Sequence, residues 1–350
     1  MKILGIETSC DETAASVIEA NAKEIKVLSN IISSQIEIHQ KYGGVVPEVA
    51  AREHVLNILP VINEALEKAG IKRKEAPKKL NAIAVTIGPG LITSLIVGVE
   101  TAKTLAYVWK LPIVPINHIE GHIYANFIGA YQKIKLPAII LTVSGGHTML
   151  VLMKKHGQLK TIGDTRDDAA GEAFDKAAKL MNIGCPGGPA IEAEATKFLN
   201  KSEITNHKSE INLPRPMLNS GNFDFSFSGL KTALLYQLKK DKQWRNKIPA
   251  YAYEFQQAII DVLVGKTIKA AKKFEVKTVM LAGGVAANTE LRAQLKNAVE
   301  QKLNNIQFCM PNLEYTTDNA AMVATAGYFK AKRKKTTNWT KLKSNCNLKL

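Results

Sequence analysis

Two stretches of the chain share one pattern of apolar and polar positions. Residues 2–19 (KILGIETSCDETAASVIE) alternate an apolar run, a polar turn and a second apolar run. Residues 137–153 (PAIILTVSGGHTMLVLM) repeat that order around a small polar turn. Apolar runs of this length, separated by Gly, Ser, Asp or Thr, are typical of strands joined by turns. The pattern therefore predicts a β-hairpin in each half of the chain.

Each hairpin is followed further along by a second common unit. NAIAVTIGPGLITSLIVGVETAKTLA (81–106) and VKTVMLAGGVAANTELRAQLKNAV (276–299) each predict an apolar strand, a glycine turn and a helix. The same order in both halves indicates a divergent internal duplication. It predicts an α/β protein of two similar lobes with a cleft between them.

The boundaries follow from this repeat. We expect one lobe at 1–134, a second at 135–315, and a terminal helix with a basic tail at 316–350. The second lobe holds a long insertion, about 160–255, with three predicted helical segments. The first is 167–181, the second follows a turn at 185–192, and the third forms the later part of 222–238, after a polar-aromatic loop. The polar stretch 200–215 predicts an exposed loop, and the final 20 residues predict a disordered tail.

Turns of small and polar residues end several of the predicted strands, at 8–13, 88–90, 144–148 and 283–288, and all but the first contain glycine. Such turns let backbone N–H groups approach a phosphate closely, with a helix N-terminus behind them. None matches GxxxxGK[ST] or a full GxGxxG, which argues against P-loop and Rossmann proteins.

The charge balance adds a possible partner. Lys and Arg number 47 against 31 Asp and Glu, a net charge of +16. The excess is concentrated at 71–79, 239–247 and 330–343. Two interpretations stay open: solvated lysine-rich surfaces, or contacts to a phosphate-rich macromolecule such as RNA. Aromatic residues are only 6%, so a large stacking platform for single strands is not indicated.

The location and redox setting are constrained by what the sequence lacks. No apolar run reaches the length of a membrane span, and the N-terminus has no signal-peptide layout, so we expect a cytoplasmic protein without membrane contact. The four cysteines are far apart and form no CxxC, which does not favour a disulfide framework or a structural zinc site.

The stretch NHIEGH presents a possible metal site. On a helix, His118 and His122 lie one turn apart on the same face, the spacing for two imidazoles to hold one ion. A zinc protease needs His-Glu-x-x-His. Here Glu120 is two residues after His118, about 200° around a helix, and faces away from both histidines. The stretch therefore predicts metal binding without the protease base.

A third ligand is offered by the stretch EYTTDNAAMVATAGY (314–328), where Asp318 precedes a small-residue helix. Its alternative role is that of a helix N-cap. Two histidines and one carboxylate would leave coordination positions open for substrate oxygens. Asp11 and Glu12 in the first turn face the predicted cleft, or are a solvated hairpin tip. His147 is a ligand, a phosphate contact or a turn residue, and His54 is expected at a helix boundary or surface.

Taken together, the motifs resemble one family. GIETSCDETAASV, GPGLITSLIVGVETAK, NHIEGH, VSGGHT, DDAAGEAFDK, PGGPAIE, DFSFSGLKT, LAGGVAAN and TTDNAAM are similar, in this order over about 1–328, to the bacterial tRNA N6-adenosine threonylcarbamoyltransferases, the TsaD type. The resemblance implies the ASKHA fold of actin and the sugar kinases, with two duplicated ribonuclease H-like lobes, in agreement with the repeat.

The resemblance also implies a set of site residues. One divalent metal ion, iron(II) or else zinc, is implied at His118, His122 and Asp318. The residues implied to contact the adenylate substrate are Val143, Ser144, Gly145, Gly146, His147, Asp175, Gly188, Asn288 and, as a ribose contact, Glu192. Asp11 and Glu12 match the first phosphate-loop segment and are carried as catalytic candidates. The third-ligand segment reads TTDN where relatives often have CTDN, which leaves the ligand position itself unchanged.

The implied reaction transfers a threonylcarbamoyl group from threonylcarbamoyl-AMP to N6 of adenosine 37 in tRNAs that read ANN codons. The implied partners are tRNA, a shorter inactive paralogue of the TsaB type and a P-loop ATPase of the TsaE type. Two other functions stay as alternatives: an ATP-dependent phosphotransferase of the same fold, and a metalloprotease.

Overall fold

The computed structural model describes residues 1–129, 134–201 and 210–350. Ten strands are named in chain order: β1 (Lys2–Glu7), β2 (Glu12–Ala20), β3 (Ile25–Ser34), β4 (Ala82–Gly88), β5 (Ile113–Asn117), β6 (Ala138–Val143), β7 (Thr148–Lys155), β8 (Gln158–Asp164), β9 (Thr278–Ala282) and β10 (Gln307–Cys309). Half of the predicted loop at 200–215, namely 202–209, lies outside the described residues.

The helices are named in the same way: α1 (Ile36–Gln40), α2 (Pro47–Lys68), α3 (Ala76–Lys79), α4 (Ile92–Trp109), α5 (His118–Ala125), α6 (Ala170–Met181), α7 (Gly187–Lys201), α8 (Ser228–Lys240), α9 (Ile248–Lys273), α10 (Thr289–Lys302) and α11 (Ala320–Lys332). Within the described ranges, no helix is both long enough and apolar enough to cross a membrane.

The two sheets have the same strand arrangement. One has the order β3-β2-β1-β4-β5, and the other has the order β8-β7-β6-β9-β10. In the first sheet β1 is antiparallel to β2 and parallel to β4; in the second, β6 is antiparallel to β7 and parallel to β9. Both central strands are buried along almost their whole length. The duplicated α/β architecture predicted from the repeat is confirmed.

The chain divides into two compact units. The first comprises Met1–Lys135, Lys155–Leu159 and Cys309–Leu350; the second comprises Leu136–Lys154 and Lys160–Phe308. Each unit has its own apolar core around its sheet.

In the first unit, α11 packs on the sheet at very short range. Its residues from Ala320 to Phe329 are all buried, and most are small. A Cβ added to Gly5 on β1 would lie 2.3 Å from the carbonyl oxygen of Ala320. A Cβ added to Gly327 would lie 2.5 Å from the Cβ of Ala84 on β4. Glycine at these positions lets the helix backbone approach the strands, and this approach places the segment before α11.

The C-terminal tail is part of the first unit, so the prediction of a disordered tail is wrong. Leu342 is buried in the first unit's core. The N–H of Asn345 donates to the carbonyl of Ile87 over 2.7 Å, and the N–H of Gly90 donates to the carbonyl of Cys346 over 3.4 Å. One apolar anchor and backbone hydrogen bonds hold a segment whose composition is basic. The turn at 88–90 therefore packs against the chain's own tail.

In the second unit, the stretch FDFSFSG (223–229) is held by buried phenylalanines that alternate with polar residues. Phe223, Phe225 and Phe227 are buried in the core. The carboxylate of Asp167 accepts hydrogen bonds from the backbone N–H groups of Phe227 and Ser228, over 2.7 and 3.2 Å. It thereby fixes the start of α8, as an acidic side chain does at a helix N-terminus.

An aromatic cluster in the first unit contains a histidine, His156, whose pKa is lowered when the chain folds. The ring of His156 stacks on Phe329, with centroids 4.2 Å apart, and lies 5.0 Å from the ring of Phe127. Burial, with the nearby charges of Arg333 and Lys332, lowers the pKa of His156 to about 4. The imidazole is therefore neutral in the folded protein at neutral pH.

We expect this histidine to make stability fall in mild acid. Below pH 6.5 His156 is protonated in the unfolded chain, whereas in the folded chain it stays neutral until about pH 4. The contribution of this neutral ring is therefore present at neutral pH and is lost as the pH falls; at pH 5 the loss is at most roughly 2 kcal/mol, because solvent screens a half-buried ring. Urea unfolding of wild type and His156→Phe at pH 8 and pH 5 measures the effect. An equal loss in both proteins would show that other groups are responsible.

Candidate functional site

Three side chains of the first unit converge on one point. Nε2 of His122 lies 3.2 Å from Oδ1 of Asp318, and Nε2 of His118 lies 3.5 Å from the same oxygen. One ligand atom from each residue lies within 4.8 Å of the other two. Zinc and iron(II) both bind imidazole nitrogens and carboxylate oxygens as ligands. The structure brings together the three ligands predicted from the sequence.

The caps of the two neighbouring helices explain why these three side chains face one another. Asn117, at the end of β5, accepts hydrogen bonds from the N–H groups of Ile119 and Glu120 and so starts α5 at once. Asn319 caps α11 by accepting from the N–H of Met322 over 3.0 Å. The alternative role of Asp318 as the N-cap is therefore wrong, because its neighbour takes that role and leaves the Asp318 carboxylate facing the histidines.

The electrostatics of this group fit a bound cation. His122 is only 1% exposed, and neither of its ring nitrogens makes a hydrogen bond among the described residues. Burial alone would lower the pKa of His118, but the carboxylates of Asp318 and Glu7 raise it above its ordinary value. A buried imidazole that makes no hydrogen bond but lies 3.2 Å from a carboxylate, at a place that stabilises positive charge, is the arrangement a metal ion would complete.

Asp11 and Glu12 lie close to this group. Burial, followed by the carboxylates of Asp318 and Asp11, raises the pKa of Glu12 well above its usual range. The hydroxyl of Ser34 donates to Glu12 over 3.4 Å, and the carbonyl of Asp11 accepts from the N–H of Gln35. Both side chains are half-exposed, so the alternative of a solvated hairpin tip stays open beside a role at the cluster. The carboxylates of Asp11 and Asp318, which disfavour ionisation of Glu12, would favour a bound cation.

Cys10 in the same turn is not an activated nucleophile. Burial, with the neighbouring carboxylates of Asp11 and Asp318, raises the pKa of its thiol above the usual range. The thiolate is the nucleophilic form of cysteine, and it is disfavoured here.

In the second unit, the turn at 144–147 closes on itself. The N–H of Ser144 donates to the carbonyl of His147 over 2.8 Å, and the N–H of His147 donates to the Ser144 hydroxyl oxygen over 3.1 Å. The start of α6 adds support, as the N–H of Gly171 donates to the carbonyl of Ser144. A Cβ at Gly283 would lie 2.3 Å from the carbonyl oxygen of Val143. Two of the predicted glycine turns therefore lie side by side.

The helical segments add the other predicted nucleotide contacts. Oδ1 of Asp175 accepts from the N–H of Gly187 over 2.7 Å, which joins α6 to the first turn of α7, where Gly188 lies. Glu192 accepts from the N–H of Thr289 over 2.8 Å, which joins α7 to the start of α10.

Asn288 is the N-cap of α10 and is itself held. Its Oδ1 accepts from the N–H of Leu291, and its Nδ2 donates to Oε1 of the buried Gln256, both over 2.8 Å. The loops and helix starts that carry the predicted nucleotide contacts are thus linked by hydrogen bonds and close packing within one unit.

Comparison with known proteins agrees with these observations. The family model of TsaD, tRNA N6-adenosine threonylcarbamoyltransferase, matches residues 26–325. The enzyme of that name from Syntrophomonas wolfei is 49% identical over 328 residues, which are 93% of this chain and 91% of that one. Its counterpart from Geobacillus kaustophilus is 50% identical over 329 residues, 93% and 90% of the two chains. The chain belongs to the TsaD family.

Solved structures support the fold at much lower identity. HypF of T. kodakarensis superposes with a TM-score of 0.61 at 15% identity, over 95% of this chain and 48% of HypF. The activator of the 2-hydroxyisocaproyl-CoA dehydratase from Clostridium difficile gives a TM-score of 0.51 at 13% identity, over 97% and 99% of the two chains. The expected ASKHA fold is confirmed. As a TsaD-family protein the chain is a transferase, and the family acts in tRNA threonylcarbamoylation.

Glu120 has a structural role in this TsaD-family chain. It is 6% exposed, and its Oε2 lies 2.6 Å from Nζ of Lys330 on α11. The same lysine also donates to the carbonyl of Pro115. The predicted orientation away from the two histidines is confirmed, so the glutamate that a zinc protease would require is absent from this site.

His54 is a residue that sequence reasoning placed wrongly. It was expected at a boundary or surface, but it is fully buried. Its Nδ1 lies 2.8 Å from the Thr13 hydroxyl, and its Nε2 lies 3.0 Å from the carbonyl of Cys10. It therefore supports the turn that carries Asp11 and Glu12. The available signal was its spacing from Ile58, one turn further along the same apolar face of α2.

Proposed function

We propose that this chain transfers the threonylcarbamoyl group of threonylcarbamoyl-AMP to N6 of adenosine 37 in tRNAs that read ANN codons, releasing AMP. The observation that carries the proposal is the convergence of His118, His122 and Asp318 in a chain of the TsaD family. The fold and family set the class of reaction, and this cluster offers a place where the reacting carbonyl can be held.

The chemistry asks little of a protein nucleophile. The N6 amine attacks the carbamoyl carbon of a mixed carbamic–phosphoric anhydride, the bond from that carbon to the phosphate oxygen breaks, and N6 loses a proton. The substrate is already activated, so catalysis rests on positioning, charge stabilisation and exclusion of water. Asp11 and Glu12, beside Asp318, are the proposed catalytic carboxylates.

We propose that Nε2 of His118, Nε2 of His122 and Oδ1 of Asp318 hold one divalent cation, iron(II) or zinc. When bound, such an ion supplies a Lewis acid that polarises a carbonyl oxygen. The chain's own contribution is to fix two donors on α5 and one just before α11, so that little rearrangement is needed on binding.

The adenylate is proposed to bind the second unit. The turn from Val143 to His147, the Asp175-anchored turn with Gly188, and the start of α10 at Asn288 carry the proposed contacts. The Glu192 carboxylate, already fixed by Thr289, is the proposed ribose contact. Small residues and N–H groups at helix starts favour a phosphate.

The basic clusters are proposed to contact tRNA phosphates. We expect Lys334→Glu with Lys335→Glu, both exposed, to weaken tRNA binding and to lower the slope of log affinity against log salt by about 2, because each lost phosphate contact releases about one counterion fewer. Binding measured at several salt concentrations tests this. Lys23→Glu, an exposed lysine outside the clusters, is the control. An unchanged slope in the double variant would make the tail cluster a solvated surface.

A paralogue and a P-loop ATPase are proposed as protein partners. Supporting the paralogue, α2 and α4 expose apolar side chains: Val55 is 62% exposed and Leu56 is 68% exposed, with Leu59, Ile92 and Ile96 also exposed. An apolar surface of this kind is typical of a protein interface. Adjacent exposed residues on two helices suit a partner that presents helices of its own.

The transfer assay separates the proposed function from its alternatives. Purified protein with its partners, threonylcarbamoyl-AMP and tRNA is expected to form threonylcarbamoyladenosine, detected by mass spectrometry of nucleosides. A phosphotransferase would instead consume ATP to phosphorylate a small hydroxyl compound. A protease would cleave a polypeptide and lose that activity in Glu120→Ala. Either result without tRNA modification would overturn the proposal.

A further inference from the structure

A buried carboxylate lies directly behind the metal cluster. Glu7 is the last residue of β1 and is 0% exposed. Its Oε1 accepts a hydrogen bond from the N–H of Ser9, and its Oε2 accepts one from the hydroxyl of Thr86, each over 2.6 Å. A buried charge is tolerated only when its oxygens are paired in this way. These contacts fix the carboxylate rigidly at the ends of β1 and β4.

The third partner of Glu7 is one of the two cluster histidines. Nδ1 of His118 lies 3.2 Å from Oε2 of Glu7 and 3.0 Å from the hydroxyl oxygen of Ser9. An ionised carboxylate only accepts hydrogen bonds, so this contact is attractive only when Nδ1 carries the hydrogen. In the neutral ring, Nε2 then has the free lone pair, and Nε2 is the atom that lies 3.5 Å from Asp318.

We propose that Glu7 is a positioning residue for the metal site: it selects the His118 tautomer whose Nε2 can bind the ion, fixes the ring orientation and increases its basicity. The proposal rests on the metal role of the cluster in the proposed function. A histidine ligand whose second nitrogen donates to a carboxylate is a better and more rigid ligand, and loss of such a carboxylate typically weakens metal binding by about 10- to 100-fold.

The two histidines differ in this respect. His118 is oriented by Glu7 before any ion binds, whereas neither ring nitrogen of His122 makes a hydrogen bond in the described part of the chain. His118 is thus the preset donor and His122 the donor that the ion itself must orient. Removing the Glu7 charge should therefore weaken metal binding through His118, because Glu7 fixes the orientation of that ligand.

The test uses the full-length chain and Co²⁺ alone as the probe, because cobalt reports its ligands by visible absorption. Glu7→Gln keeps the shape of the side chain and removes its charge. We expect its Co²⁺ affinity, measured in competition with a chelating dye, to fall by about 10- to 100-fold, with a changed visible spectrum. Ser9→Ala removes the other neighbour of Nδ1 and should change the affinity by less than about threefold.

A matched control separates positioning from stability. Glu254→Gln alters another buried carboxylate, in the second unit, that accepts from the N–H of Leu213 over 3.0 Å and pairs with Arg215. It should lower stability without changing Co²⁺ binding. If Glu7→Gln does not fold, Thr86→Val, which removes one donor to Glu7, replaces it and should weaken Co²⁺ binding measurably.

Each outcome bears on the proposal. Wild-type affinity in Glu7→Gln, a Ser9→Ala loss as large as that of Glu7→Gln, or no Co²⁺ binding by wild type would overturn it. Weakened binding in Glu7→Gln with normal binding in both Ser9→Ala and Glu254→Gln would support it. Metal binding that follows this pattern in a protein that does not modify tRNA would leave Glu7 positioning intact and reject the proposed function.

Discussion

Replacing His122 by leucine is expected to abolish metal binding and transfer activity while leaving the metal-free fold as stable as wild type, within about 1 kcal/mol. The reason is that the buried ring makes no hydrogen bond through either nitrogen among the described residues, and its 3.2 Å contact is to the Asp318 carboxylate, which water can still reach. A residue retained at the expense of stability points to function. The measurements are bound metal after loading, tRNA nucleoside analysis, and urea unfolding of the metal-free protein.

His54 is the matched control, because it is equally buried but hydrogen-bonded through both ring nitrogens. His54→Leu leaves the Thr13 hydroxyl and the Cys10 carbonyl without this partner, and is expected to cost about 2–4 kcal/mol of unfolding free energy. It should still bind metal, since it removes no ligand. If His122→Leu lost as much stability as His54→Leu, or kept its metal, His122 would be a structural residue.

Gly5→Val is expected to reduce the unfolding free energy by about 4 kcal/mol or more, enough to prevent accumulation of folded protein. Its Cβ would lie 2.3 Å from the carbonyl oxygen of Ala320 and 2.8 Å from the N atom of Ala324, and backbone atoms cannot move as a flexible side chain can. The helix α11 would have to leave the sheet, and Asp318, two residues before it, would move with it. Soluble yield and thermal unfolding measure the effect.

Gly221→Ala provides the comparison, since a Cβ there would meet nothing within 4 Å and the residue is exposed. It should change stability by less than about 0.5 kcal/mol. A folded Gly5→Val protein of near wild-type stability would show that α11 does not need this close approach to β1.

The elements that could be predicted from the sequence are those set by local patterns. Both hairpins and both strand–glycine–helix units lie where the apolar runs and turns placed them, for example β1 with β2 and β6 with β7. That His118 and His122 share a face was also predictable once the stretch was taken as a helix, because the helical period is 3.6 residues. The direction of Glu120 away from both histidines follows from the same geometry.

Contacts between distant segments were not predictable. No local signal connects the tail near Asn345 to Ile87, so its basic composition wrongly suggested disorder. The partners of His54 lie more than 40 positions away, in a turn whose approach to α2 depends on the whole sheet. The role of Glu7 was missed for the same reason: nothing in the local sequence shows that an acidic residue at the end of an apolar strand is buried next to His118.

The sequence alone determined the repeated elements, the two histidines one helical turn apart, and, through the motif resemblance, the family. Backbone periodicity and turn chemistry act over a few residues, so they can be read directly from the order of side chains. Only the tertiary structure decided which distant groups complete the site. The packing of α11 on β1 brings Asp318 to His122, and the burial of Glu7 gives His118 its partner, because burial forces polar groups from separate segments to satisfy one another.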